Sequence, residues 1–281
     1  MKRILFFFFA LPVLVPGLAR AQTVTNRPFP GLVLYSEVRT NPPERLFVAE
    51  VDLKNPHLHL RVAPGGPDPD GSGPWQTTLM QPTKIAARDH FDLVINGDFF
   101  DARNTKDGEG TNALFRANGW ARVEGPAMTD GRAWSSSTNA KPCLVVHKNK
   151  TVAIETRTSP GPDDWEVVAG NGLMVHAGAA VAYKNKVRHP RTVVGLNAAR
   201  DRLMILVVDG RQPGIAQGMN YDELARVMLR LGCSEALNLD GGGSSVMAIR
   251  ENEISAMKIL NHPTDGQERA VANVLGISVD Q

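Results

Sequence analysis

Short apolar runs separated by polar turns cover most of the chain, a spacing typical of β-strands. Leu32–Val38, Leu46–Leu53 and Leu58–Val62 show partial alternation or β-branched residues and predict an antiparallel meander. Phe91–Ile95 is apolar at most positions and predicts a buried strand. Further strands are predicted over Cys143–Val146, Thr151–Glu155, Trp165–Val168, Leu173–His176, Thr192–Leu196, Leu203–Val208, Leu237–Leu239, Val246–Ile249 and Val271–Val279.

Two segments carry helical patterns. Gln76–His90 predicts a helix with a possible break at Pro82. The second helix begins after Asn220, a natural N-cap, with Glu223 three residues later as its capping-box partner. Its apolar face is formed by Leu224, Val227, Met228 and Leu231, and Gly232 ends it in the left-handed conformation.

These elements predict an α+β fold, a β-rich mixed-sheet domain with a few packed helices. Pro64–Trp75 is a surface loop by its Pro, Gly and Asp content. The polar, Gly-rich stretch Asp101–Ala140 is long for a connection inside a domain, and such loops often bind ligands. No repeat or composition break separates a second domain, so residues 22–281 are expected to form one.

The first 21 residues have the pattern of a signal peptide. Lys2 and Arg3 precede the apolar run Ile4–Val15, and Ala19-Arg20-Ala21 suits a cleavage site. We expect an exported protein, periplasmic or secreted, that starts near Gln22; an uncleaved anchor is the alternative. No other apolar run approaches the ~20 residues of a membrane span, so no stable span is expected after cleavage.

Composition narrows the possible partners. Lys+Arg 31 against Asp+Glu 29 gives no basic footprint, so no nucleic-acid partner is expected. Cys143 and Cys233 either pair in an oxidising compartment or are two buried thiols, and the sequence leaves both open. The histidines form no His-Glu-x-x-His motif. No cofactor is predicted, and a divalent cation stays an open possibility.

The strongest candidate site is Ala236-Leu-Asn-Leu-Asp240-Gly-Gly-Gly-Ser-Ser245. Asn238 and Asp240 alternate with leucines and therefore share one face of a strand. Three glycines allow main-chain N–H groups to converge, and such a nest of amides suits an anion. The segment lacks the last glycine of a nucleophile elbow and the Lys of a P-loop. It therefore predicts an acid beside an anion-binding turn.

Three further polar clusters follow apolar strands. Asn96-Gly-Asp98 places an amide and a carboxylate at a strand end, although an ordinary turn has the same pattern. Arg188-His-Pro-Arg191 suits a rigid clamp for phosphate or carboxylate, with a solvated basic turn as the alternative. Asp209-Gly-Arg211 puts an acid and a cation together, either in a site or as a weak surface pair.

Six motifs in order carry a family resemblance. They are Asn96-Gly-Asp-Phe-Phe100, Gly170-Asn-Gly-Leu-Met-Val175, Arg188-His-Pro-Arg-Thr192-Val-Val-Gly195, Val208-Asp-Gly-Arg-Gln212, Ala236–Ser245, and Glu268-Arg269 with Val271-Ala-Asn273. Together they resemble the phosphodiester glycosidase family over roughly residues 90–279. The chain departs from the family pattern at Asp98, where glycine is usual, and at Ala270, where proline is usual.

The resemblance implies a hydrolase that cleaves the bond between an anomeric sugar carbon and phosphate, with a phosphoglycan or sugar-1-phosphodiester as substrate. It implies Asp240 as the catalytic carboxylate and Asp209 as its partner. The expected substrate-binding residues are Asn96, Asp98, Arg188, Arg191, Arg211, Asn238, Gly241, Gly242, Gly243, Ser244, Ser245 and Glu268. The alternatives are a non-catalytic glycan-binding protein and a metal-dependent phosphodiesterase.

Overall fold

The computed structural model describes residues 22–103, 115–251 and 255–280, and strands dominate them. Two α-helices occur in these ranges: α1 (Pro82–Asp89) and α2 (Tyr221–Arg230). The strands are β1 (Gln22–Phe29), β2 (Leu32–Thr40), β3 (Pro43–Asp52), β4 (Leu58–Pro64), β5 (Thr77–Thr78), β6 (Leu93–Asn96), β7 (Phe100–Arg103), β8 (Trp120–Val123), β9 (Ala127–Thr129), β10 (Arg132–Ser135), β11 (Lys141–His147), β12 (Val152–Arg157), β13 (Asp164–Ala169), β14 (Gly172–His176), β15 (Ala179–Ala180), β16 (Arg191–Asn197), β17 (Arg202–Val208), β18 (Cys233–Asn238), β19 (Met247–Arg250), β20 (Met257–Ile259) and β21 (Asn273–Val279).

The strands form four sheets. The largest has eight strands in the order β1-β2-β3-β17-β16-β18-β14-β15, and a second has the order β20-β19-β6-β21-β4. A third sheet is β10-β9-β13-β11-β12, and a small fourth one is β5-β8-β7. Every pairing among the described strands is antiparallel. The strands are therefore not arranged in the mixed sheet that the sequence predicted.

One apolar core joins the first three sheets. It includes Ile205 from the eight-stranded sheet, Ile95 and Leu275 from the second sheet, and Leu144 and Val168 from the third. All five side chains are almost fully buried. On the opposite face of the eight-stranded sheet, α2 packs its apolar residues over a separate cluster. The ends of several strands from different sheets are thereby held at fixed positions.

The predicted second helix is confirmed. Asn220 accepts a hydrogen bond from the Glu223 amide at 3.0 Å, and the Glu223 carboxylate accepts one from the Asn220 amide at 3.0 Å. Gly232 has a φ of +83°, in the left-handed region as expected. The predicted first helix is shorter than expected, since α1 begins at Pro82. Proline is well accepted in the first turn of a helix, where its missing N–H is not needed.

Two other predictions are corrected. The meander is right only for β2 and β3, because β4 pairs with β21 in another sheet. The expected loop Asp101–Ala140 contains most of β7 and all of β8, β9 and β10, while residues 104–114 lie outside the described part. Short strands of this kind carry too few apolar residues for the alternation to stand out.

The two cysteines are free thiols in the interior. Cys143 lies in a cluster on β11 and Cys233 in the cluster beneath α2. Burial raises the pKa of each thiol to about 12, so both are protonated at neutral pH. In the described ranges, no helix combines the length and the apolar character that crossing a membrane requires. The signal-peptide prediction for residues 1–21 lies outside them.

Candidate active site

The candidate site lies where the chain passes from the eight-stranded sheet to the second sheet. After β18 ends, the amide of Leu239 donates to the carbonyl of Thr192, and the amide of Asp240 donates to the carbonyl of Gly97 at 3.0 Å. Gly97 directly follows β6. Residues 241–246 then lead into β19, which pairs with β6. Asp240 is therefore held between the ends of strands from two sheets.

Asn96 fixes this crossing. Its side-chain Nδ2 donates to the carbonyl of Asp240 at 2.8 Å. Its Oδ1 accepts from the Thr192 hydroxyl at 2.7 Å and from the Val246 amide at 3.2 Å. Asn96 is completely buried. The structure thus places this expected substrate-binding residue behind Asp240, where its side chain joins three segments of the protein.

Asp240 is a carboxylate at the boundary between solvent and interior. The residue is partly exposed, and its Oδ1 accepts from the Gly241 amide at 2.7 Å. Burial raises the pKa of Asp240 to about 6, against the lowering effects of the Ser244 and Gly241 hydrogen bonds and of Arg269. At neutral pH most of this carboxylate is ionised. A nucleophile, a general base or a stabiliser of positive charge needs that state.

A second acid, Asp98, lies close enough for the charge of Asp240 to raise its pKa. Burial is the largest cause, and with the charges of Glu124 and Asp240 it raises the pKa of Asp98 to about 7. Both of its oxygens accept main-chain hydrogen bonds, from Phe99 at 2.7 Å and from Gly125 at 2.8 Å. The exposed Glu124 adds negative potential at both aspartates. Asp98 thus fastens the loop after β8 to the end of β6.

The three glycines after Asp240 allow close contact with arginine side chains. A Cβ on Gly243 would lie 2.0 Å from Nη2 of Arg269, and one on Gly242 would lie 3.2 Å from both terminal nitrogens of Arg211. Gly242 also has a φ of +62°, which favours glycine. Cδ of Arg191 lies 3.7 Å from the corresponding position on Gly241. Three guanidinium side chains therefore lie along one short turn.

The amides of this turn do not converge on an empty point, as the sequence had suggested. The Gly241 amide donates to Asp240, and the Gly242 amide donates to the carbonyl of Pro190 at 2.9 Å. The amides of Ser244 and Ser245 donate to the carbonyls of Gly241 and Gly242. Arg269 is paired with Asp265 at 2.8 Å, so the positive charge available to an anion here comes mainly from Arg191 and Arg211.

Arg191 is a buried cation without a carboxylate partner among the described residues. The residue is 6 % exposed, and its guanidinium lies 4.4 Å from the ring centroid of Tyr221. Its nitrogens donate to the main-chain carbonyls of Met219 and Val187. Burial lowers the pKa of Arg191, and the nearby charge of Arg211 lowers it further. An unpaired buried cation is costly, so an anion bound here would be stabilised.

The other two arginines expected from the sequence have different surroundings. Arg211 is exposed and donates to Nδ1 of His189 at 3.2 Å. Arg188 binds the carboxylates of Glu44 and Glu223. Because Arg188 is already neutralised by two acids, it contributes little to anion binding. The structure therefore separates the two arginines of the Arg188–Arg191 motif into a structural one and one available to a ligand.

Asp209 and Glu268 are also engaged by the protein. Asp209 is 1 % exposed and accepts from Asn261 at 3.2 Å and from the amide and ring nitrogen of His262 at 2.9 and 3.0 Å. Burial raises the pKa of Asp209, while these hydrogen bonds lower it. Glu268 accepts from the amide of Thr83 at 3.0 Å and so caps the first turn of α1. The acid whose charge raises the pKa of Asp240 is Glu124, and Asp240 in turn raises the pKa of Asp98.

Two buried acceptors near the end of β18 remain without a partner among the described residues. They are Oδ1 of Asn238 and the hydroxyl of Ser245. Nδ2 of Asn238 donates to Asn171 at 2.9 Å, so its side-chain orientation is fixed. Unpaired buried polar atoms are uncommon in proteins and are often found where water or a ligand binds.

Sequence reasoning missed several residues of this site. Arg269 and His189 lie inside motifs of the family resemblance, next to the expected residues Glu268 and Arg188. Glu124 lies in the long polar stretch, where no pattern marks it. The helical pattern of α2 gives its first residue, Tyr221, no role beyond packing. Only the folded chain shows that these side chains approach Asp240 or Arg191.

The arrangement suits a reaction in which one atom of the substrate becomes positive while the group that leaves it becomes negative. A carboxylate stabilises a centre that becomes positive, and guanidinium groups stabilise a leaving group that becomes negative. Within the described residues, no cluster of three or more His, Cys, Asp or Glu is arranged to hold a metal ion.

Comparison with known proteins agrees with the motifs. A 92-residue part, 33 % of this chain, is 38 % identical to the SPbeta prophage-derived uncharacterized protein YomE of Bacillus subtilis (strain 168) and spans 13 % of that protein. The catalytic domain of zebrafish N-acetylglucosamine-1-phosphodiester alpha-N-acetylglucosaminidase has a similar fold, with a TM-score of 0.61 and 16 % identity over 94 % of this chain and 85 % of that one. A Burkholderia pseudomallei K96243 protein, provisionally described as exported, has a TM-score of 0.63 and 15 % identity over 84 % of this chain and 74 % of that one.

The family model described as phosphodiester glycosidase matches residues 89–278, nearly the same range over which the motifs were recognised. All of the residues brought together around Asp240 lie inside this range. The chain belongs to the phosphodiester glycosidase family.

Proposed function

We propose that this protein is an exported hydrolase that cleaves the bond between the anomeric carbon and the phosphate of a sugar-1-phosphodiester, with an N-acetylglucosamine-type sugar. The observation that carries the proposal is the buried guanidinium of Arg191, which feels the charge of Asp240 but forms no ion pair within the described structure. A sugar-1-phosphodiester supplies an anion for Arg191 and, next to it, an electrophilic carbon for Asp240.

In the proposed reaction, Arg191 and Arg211 bind the phosphate, and Arg269, which also pairs with Asp265, assists them. The released phosphate is a weak base whose second pKa is about 6, so it needs little help from a general acid. Neutralising its growing negative charge matters more, and fixed guanidinium groups do this without rearrangement. The turn at Gly242 and Gly243 supports the proposal because it leaves room for two of these side chains.

Asp240 acts on the sugar side, where the anomeric carbon becomes positive as the bond to phosphate lengthens. Its pKa of about 6 keeps it ionised at neutral pH. Asn96 and Asp98 are proposed to position the Asp240 turn and the loop at Gly125, in line with their buried hydrogen bonds. Asp209 is proposed to hold the His262 segment in place.

The test uses UDP-N-acetylglucosamine and a simple methyl diester of N-acetylglucosamine-1-phosphate, in isotopically labelled water, with released sugar quantified. The proposal expects label in the sugar and loss of release in Asp240→Asn. Label in the phosphate, together with loss of activity on chelation, would instead identify a metal-dependent phosphodiesterase. Binding of the diesters without any release would identify a non-catalytic glycan-binding protein. Export is tested by fractionating the producing cells and determining the N-terminus of the recovered protein.

A further inference from the structure

A second concave region lies apart from Asp240. It is a cavity of about 1210 Å³ between the loop after β4, the β9–β10 hairpin and the end of α1. Its lining does not include Asp98 or Asp240. It also does not include Arg191, Arg211 or Arg269. We call it the tryptophan cleft and define it by Trp75, Trp134, Arg132, Ser135, Ser136 and Ser159, which contribute to its wall. Its volume exceeds the ~300–1,000 Å³ of most sites for single small molecules.

The walls of the tryptophan cleft combine aromatic rings with hydroxyl groups. Trp134 is fixed by a hydrogen bond from its indole nitrogen to the hydroxyl of Thr129 at 3.0 Å. Trp75 lies with its ring centroid 5.6 Å from the guanidinium carbon of Arg122. Both rings remain partly exposed. Rings held in place in this way offer flat apolar surfaces at small entropic cost on binding.

A buried polar atom at this wall lacks a partner. Ser135 is 7 % exposed and lines the cleft. Its hydroxyl makes no hydrogen bond within the part of the chain that the structure describes. Such a group is normally satisfied by water or by a ligand. The hydroxyl of Ser135 is therefore an unsatisfied polar group directly behind the wall of the cleft.

The charges of the lining balance one another. Three arginines (Arg61, Arg88 and Arg132) stand against three aspartates (Asp68, Asp89 and Asp130). Arg61 pairs with Asp89 and Asp130, and Arg88 pairs with Asp89. The cleft therefore has no excess of positive charge for a phosphate, in contrast to the turn beside Asp240. An uncharged ligand with many hydroxyl groups suits it better than an anion.

We propose that the tryptophan cleft is a second, non-catalytic binding site for an uncharged oligosaccharide. The apolar faces of pyranose rings pack on Trp75 and Trp134, and sugar hydroxyls exchange hydrogen bonds with Arg132 and the aspartates. A peptide is less suited, because the lining contains no Leu, Ile, Val, Met or Phe to take its apolar side chains.

The same segment of chain serves both regions. Gly125 donates to Asp98 beside the candidate active site, and the β9–β10 hairpin that follows two residues later lines the cleft. A glycan held in the cleft therefore lies against a segment anchored next to the Asp240 turn. The proposal does not rest on the hydrolase function, since oligosaccharide binding can be measured without phosphate or turnover.

The test is titration calorimetry of the purified chain with three tetrasaccharides that lack phosphate: chitotetraose, cellotetraose and maltotetraose. We expect at least one of them to bind with a Kd in the millimolar range or tighter. Trp134→Ala should weaken it about tenfold, since one stacking surface is lost. Val38→Ala is the control, because it truncates an exposed apolar side chain outside the lining, and it should leave the Kd unchanged. Asp240→Asn should also leave it unchanged.

Arg132→Ala provides a second variant if Trp134→Ala fails to fold. Arg132 is exposed and makes no ion pair among the described residues, so its loss should weaken binding without lowering the melting temperature. The proposal is overturned if none of the three tetrasaccharides binds, or if neither Trp134→Ala nor Arg132→Ala changes the Kd. If a short unstructured peptide binds in the same titration and none of the three sugars does, the cleft is a peptide-binding site instead.

Discussion

The side-chain amide of Asn96 donates a hydrogen bond to the main-chain carbonyl of Asp240 at 2.8 Å. The two residues are 144 positions apart and belong to the ends of strands in different sheets. Because Asn96 is fully buried and also accepts from Thr192 and Val246, it determines where the Asp240 turn lies. Activity should therefore depend on residues that do not contact the substrate.

Asn96→Ala should lower both stability and activity. The substitution leaves buried groups of Thr192, Val246 and Asp240 without partners, at a cost of about 3 kcal/mol in the free energy of unfolding. Urea unfolding and kcat measured on the same preparation check this. The control is Asn197→Ala, at the other end of β16. The side chain of Asn197 forms its hydrogen bonds within a turn, with Asp201 and Arg202, so the substitution should leave kcat unchanged. Full activity in Asn96→Ala would contradict the positioning role.

Asp240→Asn should abolish sugar release while leaving the protein folded. The change removes the negative charge but keeps the size of the side chain, and we expect a loss of at least about a thousandfold in kcat. The melting temperature at pH 8 should be unchanged or higher, because burial disfavours the charged form of Asp240. A fall in melting temperature that matches the loss of activity would instead point to a structural role.

Arg191 and Arg188 form a matched pair of variants. Arg191→Met should raise the KM for the phosphodiester and weaken inhibition by inorganic phosphate about tenfold or more, because an unpaired buried cation is lost. Arg188→Met removes a cation that is paired with Glu44 and Glu223. It should lower the melting temperature and leave phosphate inhibition unchanged. Equal effects of the two substitutions on phosphate inhibition would refute the assignment.

Gly243→Ala should act through Arg269. The added Cβ would lie 2.0 Å from Nη2 of Arg269, so the guanidinium must move. We expect Gly243→Ala to reduce kcat/KM nearly as much as Arg269→Ala does. The double variant should then be no worse than either single one, and a double-mutant cycle measures this coupling. Additive effects would show that Gly243 matters for another reason.

Stability should fall as the pH rises from about 4.5 to 8. Burial raises the pKa of Glu166 to about 8, from an ordinary value of 4.5. The native protein therefore keeps this proton between about pH 4.5 and 8 while the unfolded chain has lost it, and the stabilisation disappears as the pH rises through 8. Urea unfolding from pH 6.5 to 8 measures the slope, to which one such proton contributes about 1.4 kcal/mol per pH unit. Glu166→Gln should make the slope shallower, and an unchanged slope would argue against a raised pKa.

The second helix and most of the longer strands could be located from the sequence alone. The capping residues Asn220 and Glu223 defined α2 because a helix end is determined by contacts three residues apart. Apolar runs identified most of the longer strands, since burial on both faces demands them. Pairing between strands was not predictable in the same way. β4 looked like the next strand of a meander, yet its partner β21 lies more than two hundred residues later.

The candidate site was likewise predictable from sequence only in part. Sequence motifs identified Asp240, Arg191 and the glycines, because each motif is a local requirement of the backbone and its neighbours. The tertiary structure decided which of these residues are already satisfied, since Arg188, Asp209 and Glu268 have partners from distant segments. It also decided that Glu124 and Arg269 act on Asp240. Electrostatic effects depend on distance in space and on burial, and neither is encoded in the spacing of residues along a chain.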